Sequence, residues 1–230
     1  MSTLQFKDQK LPSLDHYATL AEKFIPARHA IFTIIEAAFV ELLEFRPAKV
    51  LVVGAGGGEE IVRLAQKNQS WSFIGVDTYE PMIELAHKRI SENVPQAKYE
   101  LAAIPLSDLE ETDFDAATCI LTAHFVPDDG SKLALFKDIR ARLKPGAPLA
   151  IVDGVGTSGE PRTELMRRFW KQHALLNGAD PEMVENNAEN FRKVAVVSTE
   201  RELELLAEAG FSDLQPIFKA LAIEGWLAFA

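Results

Sequence analysis

Val50-Leu51-Val52-Val53-Gly54-Ala55-Gly56-Gly57-Gly58-Glu59-Glu60 decides how the rest of the chain is read. Four aliphatic residues, three of them valine, run into four glycines out of five and then two glutamates. An unbroken, β-branched apolar run describes a strand buried on both faces, as in a parallel sheet. The glycines describe a turn with little room for side chains, where positive φ is needed and a ligand can approach the backbone. Glu59 and Glu60 open a helical pattern. Strand, turn and helix together form a nucleotide-type binding loop.

The surrounding composition limits what such a loop serves. The 230 residues are 47% hydrophobic and 25% charged, as in one globular domain with a full core. No apolar run approaches the ~20 residues of a membrane span, and no basic-then-apolar leader is present. A single cysteine, Cys119, excludes an internal disulfide and a cysteine-based metal cluster. A cytoplasmic location without a membrane partner is the expectation. The net charge of −10 disfavours a nucleic-acid partner.

Outward from the loop, strands and helices alternate. Two amphipathic helices come first, from Ser13 to Phe24 and from Ala27 to Glu44, the second presenting Ile31, Ile34, Ile35, Ala38, Leu42 and Leu43. After the loop come a helix (Glu59 to Lys67) and a strand from Trp71 ending at Asp77, which lies 23 residues after Gly54. At that distance the tip of a neighbouring strand sets a carboxylate beside a ribose, whose vicinal hydroxyls it accepts with charge-assisted strength. Pro81 starts the next helix. Further strands are expected at Lys98–Ala102, Ala116–Leu121 and Pro148–Asp153, with a helix from Ser131 to Leu143 between the last two. Residues 160–193 read as helices carrying Arg162, Arg167, Arg168, Lys171, Arg192 and Lys193. These suit either a solvated face with Glu164 and Arg168 paired or a lid touching an anionic substrate. A capping box from Thr199 to Glu202 opens a helix closed by Gly210, and a final hairpin makes one strand antiparallel.

Two families compete for the glycine turn. The dinucleotide spacing G-x-G-x-x-G fails, because Glu59 stands at its third glycine. The spacing G-x-G-x-G is met by Gly54, Gly56 and Gly58. Glu59 and Glu60 would also repel a pyrophosphate, by ~4 kcal/mol per unit-charge pair at 4 Å with an effective dielectric near 20. With Gly75-Val76-Asp77, Pro81-Met82, Leu143-Lys144-Pro145-Gly146-Ala147 and Leu206-Ala207-Glu208-Ala209-Gly210-Phe211, the chain resembles a class I S-adenosylmethionine-dependent methyltransferase over nearly its whole length.

That resemblance implies an α/β, Rossmann-like, seven-stranded mixed sheet in the order 3-2-1-4-5-7-6, strand 7 antiparallel, with helices on both faces. Residues 1–230 would form one methyltransferase domain, with residues 1–46 as an N-terminal helical cover and residues 157–195 as a helical lid. S-adenosylmethionine would be the cofactor. Gly54, Ala55, Gly56 and Gly58 would hold it in the loop, with Asp77 and Thr78 at the ribose and Met82, Ala102 and Ala103 around the adenine. Leu121 and Thr122 would close the next strand tip. Ile25-Pro26-Ala27-Arg28 and Gly225-Trp226-Leu227-Ala228 are similar to a subgroup containing carboxy-S-adenosylmethionine synthase and many small-molecule methyltransferases. There Tyr17 would cover the cofactor and Arg28 would meet its methionine carboxylate. Val52 replaces the usual acid of the first strand, and Ala103 the acid often found after the third. The synthase's carboxylate-binding arginine has no match: Ala188 falls nearest, with Arg192 four residues away.

The partner implied is a small-molecule acceptor methylated at oxygen, nitrogen or sulfur; a homodimer is compatible with this. A hydroxyl or protonated amine acceptor needs a base, and His124, just past the fourth strand, stands where one would act. His173 on the lid is second, with His16 and His29 on the N-terminal helices behind it. Asp153 would be the lone acid for a metal, so none is expected. The alternatives are a carboxy-S-adenosylmethionine synthase-like enzyme, a non-catalytic cofactor-binding protein and an NAD-dependent oxidoreductase.

Overall fold

Lys49–Val53 forms the central strand, β1, with Val50, Leu51 and Val52 fully buried. Each such side chain contributes about 1.5–3 kcal/mol by leaving water. In this computed structural model residues 14–44 and 46–230 are described, and the side chains of residues 14–18 lie outside that description. α1 (Leu14–Phe24) and α2 (Arg28–Leu42) precede β1. Then follow α3 (Glu59–Lys67), β2 (Ser72–Val76), α4 (Glu80–Asn93), β3 (Lys98–Ala102), β4 (Ala116–Ile120), α5 (Ser131–Arg142) and β5 (Pro148–Gly154). The chain ends with α6 (Pro161–Leu176), α7 (Pro181–Phe191), α8 (Thr199–Glu208), β6 (Ser212–Ala220) and β7 (Ile223–Phe229).

The sheet order is 3-2-1-4-5-7-6, with β1 to β5 paired in parallel and β7 antiparallel to both β5 and β6. The period of two in β1 divides the core. Val50 and Val52 pack with Ile31, Ile35 and Phe39 of α2 and with α3 and α4; Leu51 and Val53 pack with Phe136 and Ile139 of α5 and with α8. All parallel strands therefore end on one side of the molecule, where the loops after β1, β2, β4 and β5 meet.

Three local expectations change. The buried face of α2 is Arg28, Ile31, Phe32, Ile35 and Phe39, whereas Leu42 is exposed. The two phenylalanines, with more area to remove from water, rotate the helix onto their own stripe. α8 is capped by Ser198, whose hydroxyl accepts from the Arg201 N–H at 3.2 Å, so the box is not Thr199 to Glu202. Thr199 donates to Glu224 and Glu202 turns into the core. On α6, Glu164 pairs with Arg167 at 2.5 Å rather than with Arg168.

Glu60, in the first turn of α3, is buried beside Thr118 of β4, 7% exposed and with Oε1 lacking a hydrogen-bond partner. Burial pushes it up to about 7, while Thr118 pulls weakly the other way. A folded-state value above the ordinary 4.5 means full stability below that pH, lost as pH rises through 7. Glu60→Gln is therefore expected to stabilise the protein by about 3 kcal/mol at pH 8 and by almost nothing at pH 4.5. Urea denaturation of both proteins at the two pH values measures the difference; an equal effect at both would contradict this account of Glu60.

Candidate cofactor and catalytic site

The glycine turn ties itself inward. The Gly54 and Ala55 N–H groups both donate to the Val76 carbonyl at 2.9 Å, Gly56 N–H to Asp77 Oδ2 at 2.9 Å, and Gly58 N–H to the Ala55 carbonyl at 2.9 Å. Of the loop glycines, only Gly57 then keeps an N–H without a partner among the described residues. The carbonyls of Gly54 and Gly56 accept nothing from the described residues. A pyrophosphate needs converging N–H donors; an ammonium needs acceptors. Donors used internally and acceptors left free favour the ammonium. Around Gly56 the space is open, the nearest atom to an added Cβ being the Gly54 oxygen at 3.8 Å.

Asp77 stands at the tip of β2 and has two tasks. Oδ2 braces Gly56, and Oδ1 accepts from the Tyr79 N–H at 2.9 Å. This brace supplies the tie that Val52 cannot. Each oxygen retains acceptor capacity for a hydroxyl. Burial pushes the Asp77 carboxyl up, against the N–H bonds from Tyr79, Gly56 and Thr78 that lower it. Thr78 is exposed beside it, Met82 is buried in the first turn of α4, Ala102 ends β3 with its carbonyl accepting from Asp77 N–H at 3.2 Å, and Ala103 is exposed.

Glu59 places no free negative charge beside the loop, contrary to the electrostatic expectation. Glu59 is gripped by Arg28 (Nη1–Oε1 2.6 Å, Nη2–Oε2 2.5 Å) and Arg63 (Nη2–Oε1 2.8 Å), with Arg89 3.6 Å away. Burial opposes its charge, but Arg28 and Arg63 hold its carboxyl below the usual range. Arg28 Nη1 also reaches Glu22 at 3.1 Å, and its guanidinium lies over the Phe32 ring. Arg28 thus joins the N-terminal helices to the foot of the loop. Tyr17 lies on α1, but its side chain is outside the described residues, as is that of His16.

β4 ends on a sharp change of direction. Leu121 adopts φ +52°, a left-handed conformation that costs a non-glycine residue about 1–2 kcal/mol. Its N–H is held by the Val152 carbonyl at 2.7 Å, and the turn lays Thr122 against Gly54. A one-turn 3-10 segment, Ala123–Phe125, then buries His124 between the Phe125 ring and the end of β5. His124 Nδ1 makes a short hydrogen bond to Asp153 Oδ1; since a carboxylate only accepts, Nδ1–H donates, and in the neutral imidazole Nε2 then carries the lone pair. Nε2 has no hydrogen-bond partner among the described residues. His124 is 4% exposed and Asp153 fully buried, so the pair is shielded from bulk water.

The remaining candidates lie apart. His173 belongs to α6, with Nδ1 3.4 Å from Asn177 Nδ2, and no hydrogen bond or ion pair joins it to His124. His29 contacts Arg63 at 2.8 Å. Half of the six basic residues between positions 160 and 193 are in ion pairs: Arg167 with Glu164 at 2.5 Å, Lys171 with Glu185 at 2.5 Å, and Arg192 with Glu189 at 3.3 Å. This favours the solvated face over the anion-binding lid. Reading from the residues alone missed the partnership of His124 with Asp153. Its only signal was an acid at the end of an otherwise apolar strand.

Known proteins share this architecture. The fold is that of Rossmann-like methyltransferases. The chain is similar to an S-adenosylmethionine-dependent methyltransferase from Aquifex aeolicus (18% identity, 92% of this chain and 97% of that one, TM-score 0.58). It is also similar to human N-acetylserotonin methyltransferase solved with S-adenosylmethionine (16% identity, 94% and 55%, TM-score 0.62). The CurJ carbon methyltransferase is a third (17% identity, 94% and 58%, TM-score 0.66). The chain spans between 54% and 58% of the length of several solved proteins it resembles. Residues 50–146, less than half of the chain, match the family described as a methyltransferase domain. Curated proteins give no match. Among the described residues no helix is long and apolar enough to cross a membrane.

Proposed function

We propose that the protein is an S-adenosylmethionine-dependent methyltransferase acting on a small-molecule acceptor at oxygen, nitrogen or sulfur. What carries this assignment is the glycine turn with its N–H groups used inward, its carbonyls free and the Asp77 carboxylate at the adjoining strand tip. Carbonyls suit the ammonium of the cofactor and Asp77 its ribose hydroxyls; Met82, Ala102 and Ala103 flank the adenine side, with Leu121 and Thr122 opposite. The match of residues 50–146 to a methyltransferase domain adds support. Residues 1–46 serve as cover and residues 157–195 as lid in this assignment.

The bound cofactor supplies a methyl group on a sulfonium. The chain's own part is to orient the acceptor, exclude water and remove its proton. Orientation alone can account for ~7–11 kcal/mol of barrier. For a hydroxyl acceptor His124 Nε2 takes the proton, and Asp153 stabilises the imidazolium that forms. Arg192, the residue nearest the position of a synthase-type arginine, is exposed and paired with Glu189, which gives the carboxy-S-adenosylmethionine synthase alternative no support.

Calorimetry with S-adenosylmethionine and S-adenosylhomocysteine is the test, and folded protein that binds neither removes the proposal. A rise in NADH fluorescence on titration would instead favour the oxidoreductase. Asp77→Ala is expected to weaken cofactor binding by about 1.5–3 kcal/mol, the worth of hydrogen bonds to a charged group. Because hydroxyls bind the ionised carboxylate, wild-type affinity should fall as pH is lowered and Asp77 takes up its proton, at a pH above that of an ordinary aspartate.

A further inference from the structure

Two buried charged side chains stand behind the His124–Asp153 pair and take no part in the chemistry described so far. Lys132 in the first turn of α5 and Glu202 on α8 are both 0% exposed. Lys132 Nζ lies 3.8 Å from Asp153 Oδ2 and 3.4 Å from Glu202 Oε2. Asp153 turns its other oxygen, Oδ1, to His124. From the strand tips inward the order is His124, Asp153, Lys132, Glu202. Lys132 donates a hydrogen bond to Glu202 Oε2, whereas Asp153 Oδ2 and Glu202 Oε1 have no hydrogen-bond partner among the described residues, so charge alone links Lys132 to Asp153. For stability alone, apolar residues of similar volume generally do as well or better than a buried ammonium between two carboxylates.

We propose that Lys132 and Glu202 are positioning residues that set how readily His124 accepts a proton, acting through Asp153. This rests on the assignment of His124 as the base. With His124 neutral and both acids ionised, the four side chains carry one positive and two negative charges; with His124 protonated they balance. The Glu202 carboxylate favours the imidazolium and Lys132 opposes it, across a medium where such effects are stronger than in water. Burial and Asp153 push the Glu202 carboxyl up, in the direction that lets it share the proton balance of the group.

Other charges face this group from each neighbouring element. Asp128, ahead of α5, is paired with Arg201 at 2.8 Å. Glu224 on β7, opposite Asp153 in register, is paired with Lys219 at 2.6 Å. Cys119 on β4 has its thiol pushed well up by burial and by Asp153, Glu202 and Glu60. The pairing of Asp128 and Glu224 leaves Lys132 and Glu202 as the charges that act directly on Asp153.

NMR titration of the imidazole Cε1–H resonances in the full chain tests this, with His124 assigned by comparison with His124→Asn. Glu202→Gln is expected to move proton uptake by His124 to lower pH, Lys132→Met to higher pH, and the double variant back toward wild type. Lys132→Met strands two buried carboxylates and is the variant most prone to unfold. Glu202→Gln keeps its shape and the double variant removes both charges, so those two decide the outcome. A His124 titration unmoved in Glu202→Gln, or a double variant that moves further the same way, overturns the proposal. Calorimetry with S-adenosylmethionine on the same samples separates the two assignments. Intact binding with an unmoved titration removes the role of Lys132 and Glu202 alone. Absent binding in wild type removes the cofactor assignment and leaves the titration shifts standing.

Discussion

Replacing His124 with alanine is expected to lower kcat on a hydroxyl acceptor by about 10²–10⁴-fold, the usual contribution of a positioned general base. The geometry gives the reason. Asp153 holds Nδ1–H, which fixes the tautomer with its lone pair on Nε2, and the buried carboxylate compensates the charge that appears when Nε2 takes a proton. Asp153→Asn should lower kcat as well, because an amide can offer its N–H₂ to Nδ1 and so select the other tautomer. Neither side chain belongs to the glycine loop, so S-adenosylmethionine affinity should change little in either variant. The measurement is S-adenosylhomocysteine release at saturating acceptor, across pH. A His124→Ala enzyme that keeps its rate and pH profile would return His124 to a structural role and leave acceptor positioning to carry the rate.

The legibility of this chain divides along physical lines. Helix and strand order could be read from sequence because apolar runs such as Val50–Val53 and stops such as Pro145-Gly146 act locally. The strand order came from resemblance and is matched by the sheet. Side-chain partnerships were less accessible. Glu59 in the first turn of a helix looks like a free charge complementing the dipole, yet α2 and α4 bring Arg28 and Arg89 onto it from far along the chain. Glu202 looked like half of a capping box, because Thr199 and Glu202 have the right spacing; one residue of shift, with Ser198 as cap, turns Glu202 to the opposite task of facing Lys132. The Asp153–His124 contact joins residues 29 positions apart through the parallel pairing of β4 and β5, which no local pattern encodes.

Gly54→Ala is expected to destabilise the folded protein by about 3–5 kcal/mol and to abolish measurable cofactor binding. Two costs combine. Gly54 has φ +73°, where an L-residue loses about 1–2 kcal/mol, and overpacking a filled site typically costs another 1–3 kcal/mol or more. The obstruction here is severe: an added Cβ would lie 2.1 Å from Thr122 Oγ1 and 2.8 Å from Thr122 Cβ. Thr122 cannot simply rotate away, because its own Cβ is part of the overlap and its position is fixed by the strained turn at Leu121. Thr122→Ala should therefore rescue Gly54→Ala only in part, since the Cβ remains. Thr122→Gly should remove the steric share and leave the backbone share of about 1–2 kcal/mol. Urea denaturation of the single and double variants, analysed as a double-mutant cycle, separates the two. Additive effects would mean that Thr122 does not press on Gly54, and the contact that joins the β1 loop to the β4 turn beside His124 would have to be withdrawn.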